Sequence, residues 1–220
     1  ADIISTVSET YAKEIKTAQY GEGLDGVLNY RQEDLYGILN GVDYSVWDPS
    51  KDRHIPYHYS IDNISSKYKN KEYFINFAKM PYRKETPLIG IISRLVEQKG
   101  FDVFKAATNE LMSLDVQWAI LGSGERHFEE YFRYLASTYP DKVYVYVGYN
   151  NEMSHLIEAS SDMFLMPSKY EPCGLNQIYS LRYGTVPIVR KTGGLADTVF
   201  DWDEYSAKGF TSGNGFSFND

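Results

Sequence analysis

Two cations and one carboxylate stand where their neighbours suggest chemistry. In "SRLVEQKG", residues 93–100, Arg94 and Lys99 lie between a short apolar run and a helix-like stretch. Two readings are open. They are surface cations, or they are a planar fork and a point charge facing an anionic diphosphate leaving group. In "SKYEPCGLN", residues 168–176, Glu171 precedes Gly174, Leu175 and Asn176 where another helix-like stretch begins. The amides that open a helix have no carbonyl beneath them, and the helix dipole favours negative charge there. Glu171 therefore either caps that helix or belongs to a ligand site. In the second reading it accepts hydrogen bonds from hydroxyls, while the amides of Gly174, Leu175 and Asn176 hold phosphate oxygens.

Other residues carry weaker signals. "LGSGER", residues 121–126, places Gly122 and Gly124 between a strand-like run and a helix. Gly-x-Gly is a fragment of a dinucleotide fingerprint, and it equally suits a tight strand-to-helix turn. Cys173 reads as a small buried thiol, because no base stands beside it in sequence. His54 and His58 are four apart, but Pro56 lies between them and argues against the helix that such a metal pair needs. No metal is expected, and there is neither a P-loop lysine motif nor a Ser/His/Asp arrangement.

The elements that must position these residues are regular from residue 87 onward. Short apolar runs at 87–93, 116–122, 142–148, 163–168 and 185–189 alternate with helix-like stretches at 99–112, 125–139, 151–161 and from Gly174 to about Tyr183. This alternation predicts right-handed βαβ units and an α/β fold, a Rossmann-like parallel sheet with helices on both faces. The runs are almost continuously apolar, as strands covered on both faces should be. Ligands of such sheets bind at the carboxyl ends of the strands. That rule selects the loops 93–100, 121–126, 148–152 and 168–176, which hold the residues above. Residues 1–86 are less legible. A strand end and a helix capped by Ser8 are expected near the start, turns at Asn40-Gly41 and Asp48-Pro49, and a surface helix and linker over 51–86.

Composition bounds the function. The 220 residues carry a net charge of −8, which argues against nucleic acid or an anionic membrane as the main partner. A single cysteine excludes an internal disulfide and suits a reducing compartment. No apolar run approaches the roughly 20 residues that span a bilayer. The chain opens without methionine and stops just after a strand-like "GFSF", so a piece of a longer protein is expected.

Together, "SRLVEQKGFD", "AILGSGE", "GILNGVDYSVWDP" and the long block from "VGYNNEM" to "TGGLADTV" resemble the C-terminal half of bacterial glycogen synthases and plant starch synthases. The resemblance covers nearly the whole chain and is weakest over 66–86. It implies a retaining glucosyltransferase of the GT-B architecture that uses ADP-glucose, releases ADP and needs no cofactor. Residues 1–20 would be the end of the N-terminal GT-B domain and the junction, and 21–220 the C-terminal nucleotide-sugar-binding domain.

By the same resemblance, Arg94, Lys99 and Glu171 are the catalytic positions. Arg94 and Lys99 would neutralise the diphosphate, Glu171 would hold glucose hydroxyls, and Tyr149 would lie against adenine. Gly174, Leu175 and Asn176 would bind phosphate, with Gly122, Cys173, Thr192 and Gly193 completing the nucleotide-sugar set. Many related transferases have a second glutamate where this chain has Tyr179. The implied partners are ADP-glucose, an α-1,4-glucan acceptor and the missing N-terminal domain; the implied compartment is bacterial cytoplasm or plastid stroma. The isolated chain is expected to be inactive. A UDP-sugar-dependent GT-B transferase and a non-catalytic nucleotide- or glucan-binding module are the alternatives.

Overall fold

The computed structural model describes residues 1–219. Its N-terminal part holds β1 (Ile4–Thr6), α1 (Glu9–Glu14), α2 (Asp25–Tyr30) and β2 (Leu35–Gly37), with β1 and β2 paired in parallel. Ser8 caps α1 as expected, accepting a hydrogen bond from the Tyr11 amide. After α3 (Ser65–Phe77) the chain alternates strand and helix: β3 (Leu88–Ile92), α4 (Phe101–Ala106), α5 (Thr108–Ser113), β4 (Gln117–Gly122), α6 (Arg126–Thr138), β5 (Val143–Val147) and α7 (Asn151–Ser160). It continues through β6 (Met163–Met166), α8 (Asn176–Arg182), β7 (Val186–Arg190), α9 (Gly193–Thr198), α10 (Trp202–Ala207) and β8 (Phe216–Phe218).

The main sheet has six parallel strands in the order β5-β4-β3-β6-β7-β8. The chain winds outward from β3 through β4 to β5, returns beside β3 as β6, and winds outward the other way. This is the Rossmann order, and its switch point lies between β3 and β6. Those two strands pair only at Ile89–Met163 and Gly90–Phe164, then part toward their carboxyl ends. The Ile92 carbonyl, left without a strand partner on that side, accepts the Asn176 side-chain amide at 2.7 Å.

Alternate residues of β3 and β4 serve opposite faces, which explains their continuous apolarity. Ile89, Ile91, Trp118 and Ile120 pack with Phe101, Phe104, Phe128 and Phe132. Leu88, Ala119 and Leu121 pack with Phe74, Ile75, Leu156 and Ile157 on the other side.

Two expectations are corrected. The 99–112 stretch is two helices broken at Ala107, preceded by a 3-10 turn over Glu97–Lys99. The region 51–86 is more than surface helix and linker, because α3 packs on α7 and buries Lys67, Asn70, Lys71, Phe74 and Ile75. Its lysines misled because they meet protein oxygens instead of water. Lys71 Nζ lies 2.6 Å from Asp162 Oδ2 and 2.8 Å from the Thr86 carbonyl. Lys67 Nζ donates to the carbonyls of Glu158 and Ala159 and to Thr185 Oγ1.

Between β2 and α3 the chain forms a strap across α7 and α8. Asp48 Oδ2 accepts from Arg182 at 2.7 Å, and Asp52 Oδ2 accepts from the Tyr183 hydroxyl at 2.6 Å and lies 2.8 Å from His155 Nδ1. Burial alone would raise the Asp48 pKa, but hydrogen bonds from Ser50 and Arg182 bring it down to about 2. Asp52 is likewise lowered against its own burial by bonds from His155, Tyr183 and the His54 amide.

Candidate active site

A cleft of about 400 Å³ opens at the carboxyl ends of β3, β4, β5 and β6, in the size range of small-molecule sites. Arg94 and Lys99 line it from the loop after β3, Gly122 and Ser123 from the loop after β4, Tyr149 and Asn150 from the loop after β5. Ser168, Glu171, Gly174, Leu175 and Asn176 close it after β6. Gly122 and Gly124 serve close approach: an added Cβ would stand 2.0 Å from the Ser93 carbonyl oxygen at Gly122 and 2.3 Å from that of Leu95 at Gly124. The loops after β3 and β4 are thereby held together, with the Leu95 amide donating to Ser123 and the Glu125 amide to Leu95.

The loops after β3 and β6 are tied as well. The Lys169 amide donates to the Gln98 carbonyl, and the Lys169 ammonium sits 2.7 Å from both Glu97 and Asp102. At the centre, Lys99 Nζ lies 2.5 Å from Glu171 Oε2, which also accepts from Ser168 Oγ at 3.0 Å. Glu171 is 7% exposed, so this carboxylate sits in a protected, charge-neutralised setting. Both bonds fall on Oε2, and among the described residues none donates to Oε1. Arg94 is exposed and among the described residues reaches only Gln98 Oε1, at 3.2 Å. α8 begins at Asn176 without any side-chain cap, after Gly174 turns the chain at φ +69°. Glu171 therefore does not cap this helix. The site combines two cations, uncapped helix amides, one carboxylate and an 87%-exposed tyrosine face at Tyr149.

The description "Glycosyl transferases group 1" matches residues 73–216. The chain belongs to that glycosyltransferase family. "Starch synthase catalytic domain" matches residues 1–30. The glycosyltransferase chain is 49% identical over its whole length to a glycogen synthase of Thermosipho africanus and 51% identical over 218 residues to glycogen synthase 1 of Geobacter sulfurreducens. It spans less than half of these relatives, 44% and 43% of their lengths. The catalytic domain of starch synthase IV from Arabidopsis thaliana, solved with ADP and acarbose, superposes on all of it with a TM-score of 0.92 at 37% identity, this chain covering 45% of that one.

Of the residues singled out in the glycosyltransferase sequence, Arg94, Lys99, Glu171, Gly122, Tyr149, Gly174, Leu175 and Asn176 share the cleft. Cys173, Thr192 and Gly193 do not line it. The Cys173 thiol is buried and its carbonyl accepts from Gln177 at 3.0 Å. Thr192 Oγ1 and the Gly193 amide both donate to Glu14 Oε1, each at 2.9 Å. His58 is turned to the Asp52 carbonyl, and among the described residues no group of three or more His, Cys, Asp or Glu is placed to hold a metal. No helix of the described residues is long and apolar enough to cross a membrane.

Sequence reasoning missed Trp47, which the strap carries into the cleft wall. Its ring lies between His155 and Tyr179, with centroids at 3.8 and 4.0 Å and planes within 7°. Tyr179 is thus one face of a three-ring stack. The stretch "NGVDYSVWDP" was a visible signal, but nothing local says that a tryptophan some hundred residues before α7 lies against it.

Proposed function

We propose that this chain is the nucleotide-sugar-binding half of a glycogen or starch synthase, transferring glucose from ADP-glucose to the non-reducing end of an α-1,4-glucan with retention. The carrying observation is that Arg94, Lys99, Glu171 and the uncapped start of α8 converge on one cleft at the switch point. The ADP of the Arabidopsis starch synthase neighbour supports the choice of nucleotide.

In this reading the diphosphate lies across the start of α8, where amides of Leu175 and Asn176 meet its oxygens. When the bond from glucose C1 to phosphate oxygen breaks, the electron pair goes to the diphosphate. Arg94 and Lys99 face that growing charge, so they stabilise the transition state more than the ground state. Glu171 Oε1 accepts glucose hydroxyls, and Tyr149 offers an aromatic face to adenine. The acceptor hydroxyl bonds to C1, and its proton passes to the oxygen of the departing diphosphate. Residues 1–20 form the end of the N-terminal domain and the junction. The remaining catalytic groups come from that domain, and the enzyme works in a cytoplasmic or stromal compartment.

The test is made on the full-length parent enzyme. Radiolabelled glucose should enter glycogen from ADP-glucose at least about tenfold faster than from UDP-glucose at equal concentration. Preference for UDP-glucose would move the chain to the UDP-sugar-dependent alternative, and no transfer from either would favour a non-catalytic binding module.

A further inference from the structure

Glu171 can aim its carboxylate only if its backbone is held, and the holding is unusual. The Glu171, Pro172 and Cys173 carbonyls each accept a hydrogen bond from a different helix region. The Gly194 amide of α9 donates to Glu171 at 3.0 Å, Ser8 Oγ at the start of α1 donates to Pro172 at 2.6 Å, and Gln177 of α8 donates to Cys173. Gly194 is itself held indirectly. Glu14, in the last turn of α1, accepts from Thr192 Oγ1 and the Gly193 amide with one oxygen. The turn has no slack, since Gly193 sits at φ +45° and an added Cβ would stand 2.0 Å from the Glu171 carbonyl oxygen. Thr10 completes the contact, bonding Asp197 of α9 through both its amide and hydroxyl.

We infer that Glu14 and Ser8 of α1 are positioning residues for Glu171, clamping the acidic loop from both ends of one short helix. The inference rests on reading Glu171 as the sugar-binding carboxylate. Ser8 fixes the carbonyl just after Glu171. Glu14 fixes the glycine turn whose next amide holds Glu171 itself. Neither residue lines the cleft. Their loss should spare nucleotide affinity while letting the carboxylate wander.

The experiment compares Glu14→Ala, Glu14→Gln and Ser8→Ala with wild type in the full-length enzyme, using whichever nucleotide-sugar the wild type accepts. Wild-type donor preference alone judges the synthase reading, and the variant-to-wild-type ratios judge this one. Glu14→Ala and Ser8→Ala should each lower kcat roughly tenfold with KM for the donor and Kd for ADP within about twofold. Glu14→Gln, whose amide oxygen can accept the same two hydrogen bonds, should recover most of kcat. Hydrogen exchange of residues 169–176 supplies a readout independent of turnover: in this chain carrying Glu14→Ala it should speed up roughly tenfold while β3 and β4 keep wild-type protection. Unchanged kcat in both alanine variants, or wild-type exchange in 169–176, would overturn the inference. Equal loss of protection throughout the sheet would overturn it too, because Glu14 would then support the whole fold instead of the loop.

Discussion

At the scale of single residues, the proposed function makes the Lys99–Glu171 ion pair the first contact to test. On the proposed reading, a diphosphate arriving at Lys99 would meet a carboxylate already there at 2.5 Å, so ground-state binding would be opposed by the group that is to hold the sugar. Glu171→Gln removes that opposing charge. It should tighten ADP by roughly three- to tenfold in calorimetric titration while elongation falls sharply. The same change strips Lys99 of its partner, so the unliganded protein should lose about 1–2 kcal/mol in denaturant titrations, with ADP restoring it by linkage. Weaker ADP binding in Glu171→Gln would show that the carboxylate orders Lys99 more than it competes. Arg94→Ala and Lys99→Ala should instead lower kcat of the full-length enzyme far more than they raise KM. A loss confined to KM would assign both to ground-state binding.

At the scale of elements, the contact of α3 with α7 contains two ionisable groups removed from water. Burial pushes Glu158 up to about 8, against the pull of its bond from Ser180 and the nearby Lys67 charge. Burial also pulls Lys67 down to about 7. A carboxyl whose folded pKa is raised contributes stability that is present below its ordinary 4.5 and lost as pH rises toward 8. Lys67 adds an opposing slope only as pH approaches 7, so unfolding free energy should fall between pH 5 and 7 by an amount on the order of a few kcal/mol. Glu158→Gln, neutral at every pH, should flatten that slope in denaturant titrations; an unchanged slope would assign it to other groups. This contact also marks where the sequence stopped being legible. Strands β3 and β4 were readable because both faces of each are covered, which leaves a run of apolar letters, and β5 to β7 kept enough of that pattern to be found beside them. α3 was not, because Lys67 and Lys71 look solvent-facing until the carbonyls and the Asp162 carboxylate that receive them are known. The site divides the same way. Arg94, Lys99 and Glu171 follow strand ends and were found by the loop rule, whereas Trp47 and Glu14 act across the fold and leave no local mark.

At the scale of the whole molecule, the question is how much of the work this chain does alone. Its cleft residues come from the six-stranded sheet and the loops and helices that follow its strands, except Trp47, and that strap residue is fixed through Asp48 and Asp52 to α8 and α7. The loops are tied to one another and not merely adjacent, through Leu95 to Ser123 and Lys169 to Gln98. A cleft so braced does not need a second domain to exist, so the purified chain should bind ADP, and Arg94→Ala should weaken that binding by roughly tenfold. Turnover is different. Sugar transfer requires an acceptor hydroxyl held against C1 and water kept out, and on the proposed reading the other half supplies both. The isolated chain should therefore bind ADP calorimetrically yet incorporate no measurable glucose into glycogen from ADP-glucose. Robust incorporation would place the whole catalytic apparatus within these 220 residues. Absence of ADP binding by a demonstrably folded chain would mean that the diphosphate is held jointly, with Arg94 and Lys99 supplying charge to a site that the other half completes.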